Sequence, residues 1–105
     1  MIVQIIFREL NLEDIPRIYE ISSKIWDGDD YVPNIIEEWL EDKKCYNYAV
    51  INKDGIKNQL IAFGRIKILS SDLFWFEGGR VDPEYQKQGI GKKMMDFSLN
   101  YAKEH

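Results

Sequence analysis

Cysteine and histidine are almost missing from this chain. Of 105 residues, one is cysteine (Cys45) and one is histidine, His105 at the last position. A single thiol excludes an intrachain disulfide and a thiolate zinc cluster. A single terminal imidazole argues against a Ser-His-Asp or Cys-His arrangement, or a multi-histidine metal site, within the chain. Basic excess is missing too: 14 Lys+Arg face 18 Asp+Glu, a net charge of −4. Proteins that coat nucleic acid neutralise phosphates with clustered cations, so no nucleic-acid partner is expected. No apolar run approaches the roughly 20 residues that span a bilayer. Met1-Ile2-Val3-Gln4-Ile5-Ile6-Phe7 lacks the basic start and small-residue cleavage pattern of a signal peptide. A cytoplasmic protein with no membrane partner is the expectation. Repeats, low-complexity tracts and Gly/Ser/Pro linkers are also lacking, so residues 1–105 read as one domain.

What is present suits a packed core. The chain is 45% hydrophobic, 13% aromatic and 30% charged, unlike a disordered composition. Residues 2–8 are rich in Ile and Val and predict a strand. Asn11 is a candidate helix cap, with Asp14 in the first turn, and Pro16 falls early enough to be tolerated. Ile15, Ile18, Ser22 and Ile25 recur at helical spacing, flanked by Tyr19 and Trp26. Asp27-Gly28-Asp29-Asp30 is expected to end that helix. Pro33 suits the start of a second one, bearing Ile35, Ile36, Trp39 and Leu40.

Residues 46–52, 59–69 and 73–81 predict three antiparallel strands, with Asp54-Gly55 and Ser70-Ser71-Asp72 as turns. A last helix is expected from about Gly89 to Lys103. Its apolar positions Ile90, Met94, Phe97 and Tyr101 share a face, which Met95, Leu99 and Ala102 widen. The order is β-α-α-β-β-β-α.

Chemistry concentrates in residues 77–93, Glu-Gly-Gly-Arg-Val-Asp-Pro-Glu-Tyr-Gln-Lys-Gln-Gly-Ile-Gly-Lys-Lys. A strand ends at Val81, Pro83 breaks it, and a loop holding Gly89 and Gly91 feeds the last helix. The first turn of a helix has unpaired N–H groups and the positive end of the macrodipole. Glycines let the backbone come close to a ligand. Lys87, Lys92 and Lys93 add positive charge to an acidic chain. Together these describe an anion cradle suited to phosphate or pyrophosphate; a helix start with no ligand is the plainer alternative. The spacing fits neither a Walker A loop nor a three-glycine dinucleotide fingerprint.

Val81-x-Pro83-x-x-Gln86-x-x-Gly89-Ile90-Gly91 resembles the coenzyme A signature of the GNAT N-acetyltransferase superfamily, whose core is Gln/Arg-x-x-Gly-x-Gly/Ala. The element order is that superfamily's N-terminal portion. The resemblance therefore implies an α/β fold with a GNAT-type mixed sheet, lacking the C-terminal strands and helix of the complete fold. Trp26-Asp27-Gly28-Asp29-Asp30-Tyr31-Val32-Pro33, Glu38-Trp39-Leu40 and Glu77-Gly78-Gly79-Arg80-Val81 more faintly resemble a subgroup that includes histidine N-acetyltransferases. That leans the acceptor towards a small amine or amino acid.

The resemblance implies specific roles. Acetyl-coenzyme A is the cosubstrate and no metal is needed. Backbone amides across Gln86, Lys87, Gln88, Gly89, Ile90, Gly91 and Lys92 would hold its pyrophosphate. The strand edge at Gly79, Arg80 and Val81 would pair with the pantetheine arm. Gly78-Gly79 suits a β-bulge aiming an N–H, that of Gly79, at the thioester carbonyl, where it would stabilise developing negative charge; a plain sheet kink is the alternative. Glu77 is the candidate base, sharing a face with Trp75, Gly79 and Val81 unless a bulge resets the register. Trp75 would exclude water from it. The structural alternative pairs Glu77 with Arg65 or Arg80.

Three other features carry less. The seven acids Asp27, Asp29, Asp30, Glu37, Glu38, Glu41 and Asp42 read as a solvated face, or as a field attracting a cationic amine. Tyr31 could touch an acceptor or fold back onto the core. Cys45 reads as an incidental thiol, with no activating group beside it. Complete relatives continue past the last helix with a parallel strand beside residues 73–81. The chain therefore reads as truncated, with an exposed sheet edge that invites a homo-oligomer. A coenzyme A-binding module without turnover is the alternative function.

Overall fold

The computed structural model describes residues 4–25, 32–53, 58–70 and 73–104. Four strands form one sheet in the order β1-β2-β3-β4: β1 (Ile5–Glu9), β2 (Cys45–Asn52), β3 (Gln59–Ser70) and β4 (Leu73–Val81). Every neighbouring pair is antiparallel. Two helices, α1 (Ile15–Ser23) and α2 (Val32–Glu41), lie between β1 and β2, and α3 (Ile90–Glu104) follows β4. This is the predicted β-α-α-β-β-β-α order. Trp26, Asp27, Asp29, Asp30, Tyr31 and the Asp54-Gly55 turn lie outside the described residues.

The helices take opposite faces of the sheet because β-strand side chains alternate. On one face, Ile18 and Ile21 of α1 and Val32, Ile36 and Trp39 of α2 pack on Ala49, Ile51 and Phe63. On the other, Ile90 and Met94 of α3 pack on Tyr48, Val50, Ile61 and Ile66. Phe7 stacks on Phe97 with ring centroids 4.3 Å apart, extending that side. Burial and a 3.4 Å contact with the Ser98 hydroxyl surround the Tyr48 phenol, burial pushing its pKa up to about 12. Central strands covered on both faces read as near-continuous apolar runs, which is why residues 48–51 and 60–63 are all buried.

Three local expectations need correction. Asn11 caps a 3-10 turn (Leu12–Asp14), with Asp14 answering its N–H in a capping box, and α1 begins only after it. The first helix stops at Ser23, with Lys24 as C-cap, before the Asp-Gly-Asp-Asp stretch. Met95 and Leu99 remain 45% and 42% exposed, so the buried stripe of α3 is narrower than its sequence pattern.

Two carboxylates tie the helical layer down. Asp14 receives both Nη atoms of Arg8, at 2.9 and 2.8 Å, and the Asn11 N–H at 2.9 Å. Asp82, with a fully buried side chain, accepts Arg17 Nη2 at 2.7 Å and Lys24 Nζ at 3.5 Å. Burial pushes both acids up, but the bonds from Arg8 and Asn11 at Asp14, and from Glu84, Arg17 and Lys24 at Asp82, hold both below the usual carboxylate range. A depressed folded pKa stabilises the fold above the unfolded value of about 3.9 and loses that contribution as pH falls through the folded value. The melting temperature should therefore be flat above about pH 5 and fall below about pH 4. Asp82→Asn should cost about 3 kcal/mol at neutral pH by stranding its cations, and should shallow the acid slope. Circular-dichroism melts from neutral to acid pH check both; a variant with the parental slope contradicts them.

Candidate functional site

The end of β4 is shaped by its own sequence. Pro83 has no N–H and cannot extend a ladder, so the last rung is Asp82 N–H to Ile61 O at 2.8 Å. Asp82 then caps a 3-10 turn (Pro83–Tyr85) by accepting the Glu84 N–H. Beyond it the chain reverses into α3 through two left-handed residues, Lys87 at φ 66° and Gly89 at φ 80°. Gly89 takes that conformation without a side-chain penalty, whereas Lys87 does so under strain. The first bond of the α3 coil runs from Lys93 N–H to Gly89 O at 3.2 Å. The N–H groups of Ile90, Gly91 and Lys92 thus precede any intrahelical acceptor and point out of the helix start.

Above them lies a cavity of about 260 Å³ lined by Val81, Tyr85, Gln86, Lys87, Gly89, Ile90 and Gly91. A Cβ built on Gly89 or on Gly91 would meet nothing within 4 Å. The chain leaves this space above bare backbone unfilled, as a cradle for an outside anion requires. Ile90 contributes only its N–H, because its side chain is 2% exposed and packed in the core. The Gln86 amide reaches back 3.5 Å to the Val81 carbonyl. Lys87 and Lys92 are exposed. Gln88 is half-buried, and its amide oxygen has no hydrogen-bond partner among the described residues.

Gly78-Gly79 forms the bulge. Phe63 faces Arg80 and Arg65 faces Glu77, so Gly64 of β3 opposes two residues of β4. Gly78 has φ 66°, and a Cβ there would sit 2.0 Å from the Trp39 ring of α2. A Cβ on Gly79 would instead approach Phe76 and Met94, on the α3 side. The bulge therefore resets alternation: Glu77 and Gly78 face α2, while Gly79 and Val81 face α3. Glu77 does not share a face with Gly79 and Val81. Trp75 is 56% exposed, beyond the cover of α2, and does not exclude water from Glu77. Arg80 donates to the Gly79 carbonyl at 2.9 Å. Among the described residues the second edge of β4 meets no strand.

Glu77 pairs with Arg65, the structural alternative that the sequence offered, within a polar cluster whose other members, Trp39, Asp42 and Cys45, sequence reasoning did not assemble. Its Oε1 lies 3.5 Å from Arg65 Nε. Arg65, buried at 5% exposure, sits over the Trp39 ring at 4.9 Å and reaches Asp42 Oδ2 at 2.9 Å and Cys45 Sγ at 3.0 Å. The Lys44 N–H foremost, with the Cys45 thiol and Arg65, holds the Asp42 carboxyl below its usual range against partial burial. Cys45 is thus a partner within this cluster. Glu37, Glu38 and Glu41 are exposed on α2, as a solvated face requires. Asp82 and Arg17 were also missed. Asp-Pro-Glu after a strand is a cap signal that could have found Asp82; nothing local marks an arginine 65 residues away. Among the described residues no group of His, Cys, Asp and Glu could hold a metal ion. No described helix is long and apolar enough to cross a membrane.

Known structures share this architecture. The ribosomal-protein-S18-alanine N-acetyltransferase of Escherichia coli superposes with a TM-score of 0.78 at 16% identity, over 96% of this chain and 61% of that one. Ard1 of Thermoplasma volcanium gives 0.75 at 18% identity, over 97% of this chain and 66% of that one. Arabidopsis thaliana NAA60, in complex with a bisubstrate analogue, gives 0.72 at 22% identity, over 93% and 66%. The chain thus spans less than two thirds of these relatives, and the likeness at such identities is one of fold. No curated protein sequence matches it. The model of the Acetyltransferase (GNAT) family matches residues 12–105. That match takes in α1, α2 and α3, the bulged strand and the glycine loop, and this chain belongs to the GNAT acetyltransferase family.

Proposed function

We propose that the chain binds acetyl-coenzyme A and transfers its acetyl group to a primary amine of a small molecule or amino acid. The observation that carries this reading is the cradle itself: unpaired helix-start N–H groups below an unfilled space, beside lysines in an otherwise acidic protein. A diphosphate fits that donor set. Bound there, the thioester supplies an activated acyl carbon, and the remaining chemistry falls to the protein. The outer edge of β4 at Gly79, Arg80 and Val81, which meets no strand among the described residues, offers main-chain groups to an amide-bearing arm. The Gly79 N–H is offered to negative charge developing on the acyl oxygen. Glu77 takes the proton that the amine loses as its N–C bond forms, directly or through water, while the C–S bond breaks and the thiolate is protonated from solvent.

A second reading is favoured by one contact. Glu77 is engaged by Arg65, and a carboxylate held in a structural pair suits a coenzyme A-binding module without turnover. The outer edge of β4, without a partner strand among the described residues, supports self-association in either case. Calorimetry with coenzyme A, acetyl-coenzyme A and ATP, followed by thiol release with a panel of amines, separates the readings. Selective binding of the coenzyme A pair with amine-dependent thiol release is expected. Binding without release leaves the module; equal binding of ATP contradicts both.

A further inference from the structure

The cradle is not held by its own residues alone. Between Val81 and Pro83 stands Asp82, whose side chain is wholly buried and whose oxygens are all spoken for from outside the loop or by its first turn. Arg17 is the main counter-charge. It enters from α1, 16% exposed, and forks: Nη2 meets Asp82 Oδ2 at 2.7 Å and Nε donates to the Leu60 carbonyl at 2.8 Å. Leu60 precedes Ile61, whose carbonyl takes the Asp82 N–H. One guanidinium thereby locks three things in a fixed relation: helix α1, the start of β3 and the root of the β4–α3 loop. The loop needs such a root. Lys87 holds a left-handed backbone that a non-glycine residue leaves when its surroundings allow.

We propose that Arg17 is a positioning residue for the cofactor, acting through Asp82 to hold the backbone amides of residues 86–92 where a diphosphate can meet them. The proposal rests on the cofactor reading of the loop. Arg17 touches no part of the cradle cavity, so its effect is on geometry. A methionine at this position fills similar volume but offers neither charge nor fork. Asp82 would then keep the Glu84 N–H and, as counter-charge among the described residues, Lys24 at 3.5 Å from a side chain 39% exposed. A buried carboxylate with one distant cation draws in water or shifts, and the loop root moves with it. Lysine would restore the charge without the two-armed grip.

The test compares the whole chain with Arg17→Met, Arg17→Lys and Arg8→Met. Arg8→Met breaks the ion pair with Asp14, the N-cap of α1 three residues before Arg17, and so controls for lost stability at the same helix without touching the contacts of Asp82. Coenzyme A affinity is read by calorimetry well below each melting temperature, and amide hydrogen exchange is read over residues 83–92. Arg17→Met should weaken coenzyme A about tenfold or more, with faster exchange in that window. Arg17→Lys should recover part of both. Arg8→Met should lower the melting temperature and change neither. If Arg17→Met does not fold, Lys24→Met stands in, with a smaller loss of the same sign. Parental affinity in Arg17→Met or its stand-in, in a chain that binds coenzyme A, overturns the positioning role and leaves the cofactor reading intact. A parental chain that binds no coenzyme A overturns that reading and this proposal with it.

Discussion

Gly89→Glu is expected to abolish coenzyme A binding, a fall of about a thousandfold. The side chain would project into space that the protein leaves empty, from a backbone at φ 80° that favours glycine. A carboxylate about 4 Å from a phosphate charge meets a repulsion of about 4 kcal/mol at the effective dielectric of a protein surface, which is close to three decades in affinity. Strain at the turn adds to the loss and lowers the melting temperature. Gly91→Ala separates the two effects. Gly91 is helical, not left-handed, and its Cβ would meet nothing within 4 Å. That variant should melt no lower than the parent, while its methyl group holds a ligand away from the amides and weakens binding about tenfold. Calorimetry and thermal melts on both variants check this; full affinity in Gly89→Glu contradicts the assigned site.

Glu77→Gln should lower kcat by about two to four decades and leave the KM for acetyl-coenzyme A unchanged. Glutamine keeps the length of the side chain and an oxygen for Arg65 Nε, 3.5 Å away, but cannot take a proton at neutral pH. The same substitution decides between catalyst and structural partner. If thiol release with amines survives at the parental rate, Glu77 serves the cluster of Trp39, Asp42, Cys45 and Arg65 and the proton goes elsewhere. Arg65→Met, measured beside it, should lower stability through lost stacking and a broken bond to Asp42. Stability and kcat should thus respond to different residues of one cluster.

Much of the fold could be read from local pattern. Buried strands betray themselves as apolar runs, and residues 46–52, 59–69 and 73–81 fall within a residue of β2, β3 and β4. The glycine loop was legible because its chemistry is local: a proline that stops a strand, two glycines, and a helix start lie within nine residues. The double glycine was legible as a bulge, but its consequence for Glu77 was not. One inserted residue swaps the faces of everything beyond it, and only the pairing of Arg65 with Glu77 and of Phe63 with Arg80 shows where the swap falls. Trp75 was misjudged for a tertiary reason, since alternation gives its face but not how far α2 reaches along that face. Arg17 with Asp82, and Arg65 with Asp42 and Cys45, join elements far apart in sequence, and charge patterning within one helix or strand cannot announce such pairs.

The direct measurement of the central claim is an amide-by-amide titration of the isotopically labelled chain with coenzyme A, followed by nuclear magnetic resonance. The N–H signals of Gly89, Ile90, Gly91 and Lys92 should move furthest, with Gly79, Arg80 and Val81 next. Saturable shifts centred elsewhere, such as on the separate hollow lined by Glu9, Leu10, Leu12 and Leu40, with the helix-start amides unmoved, would contradict the account.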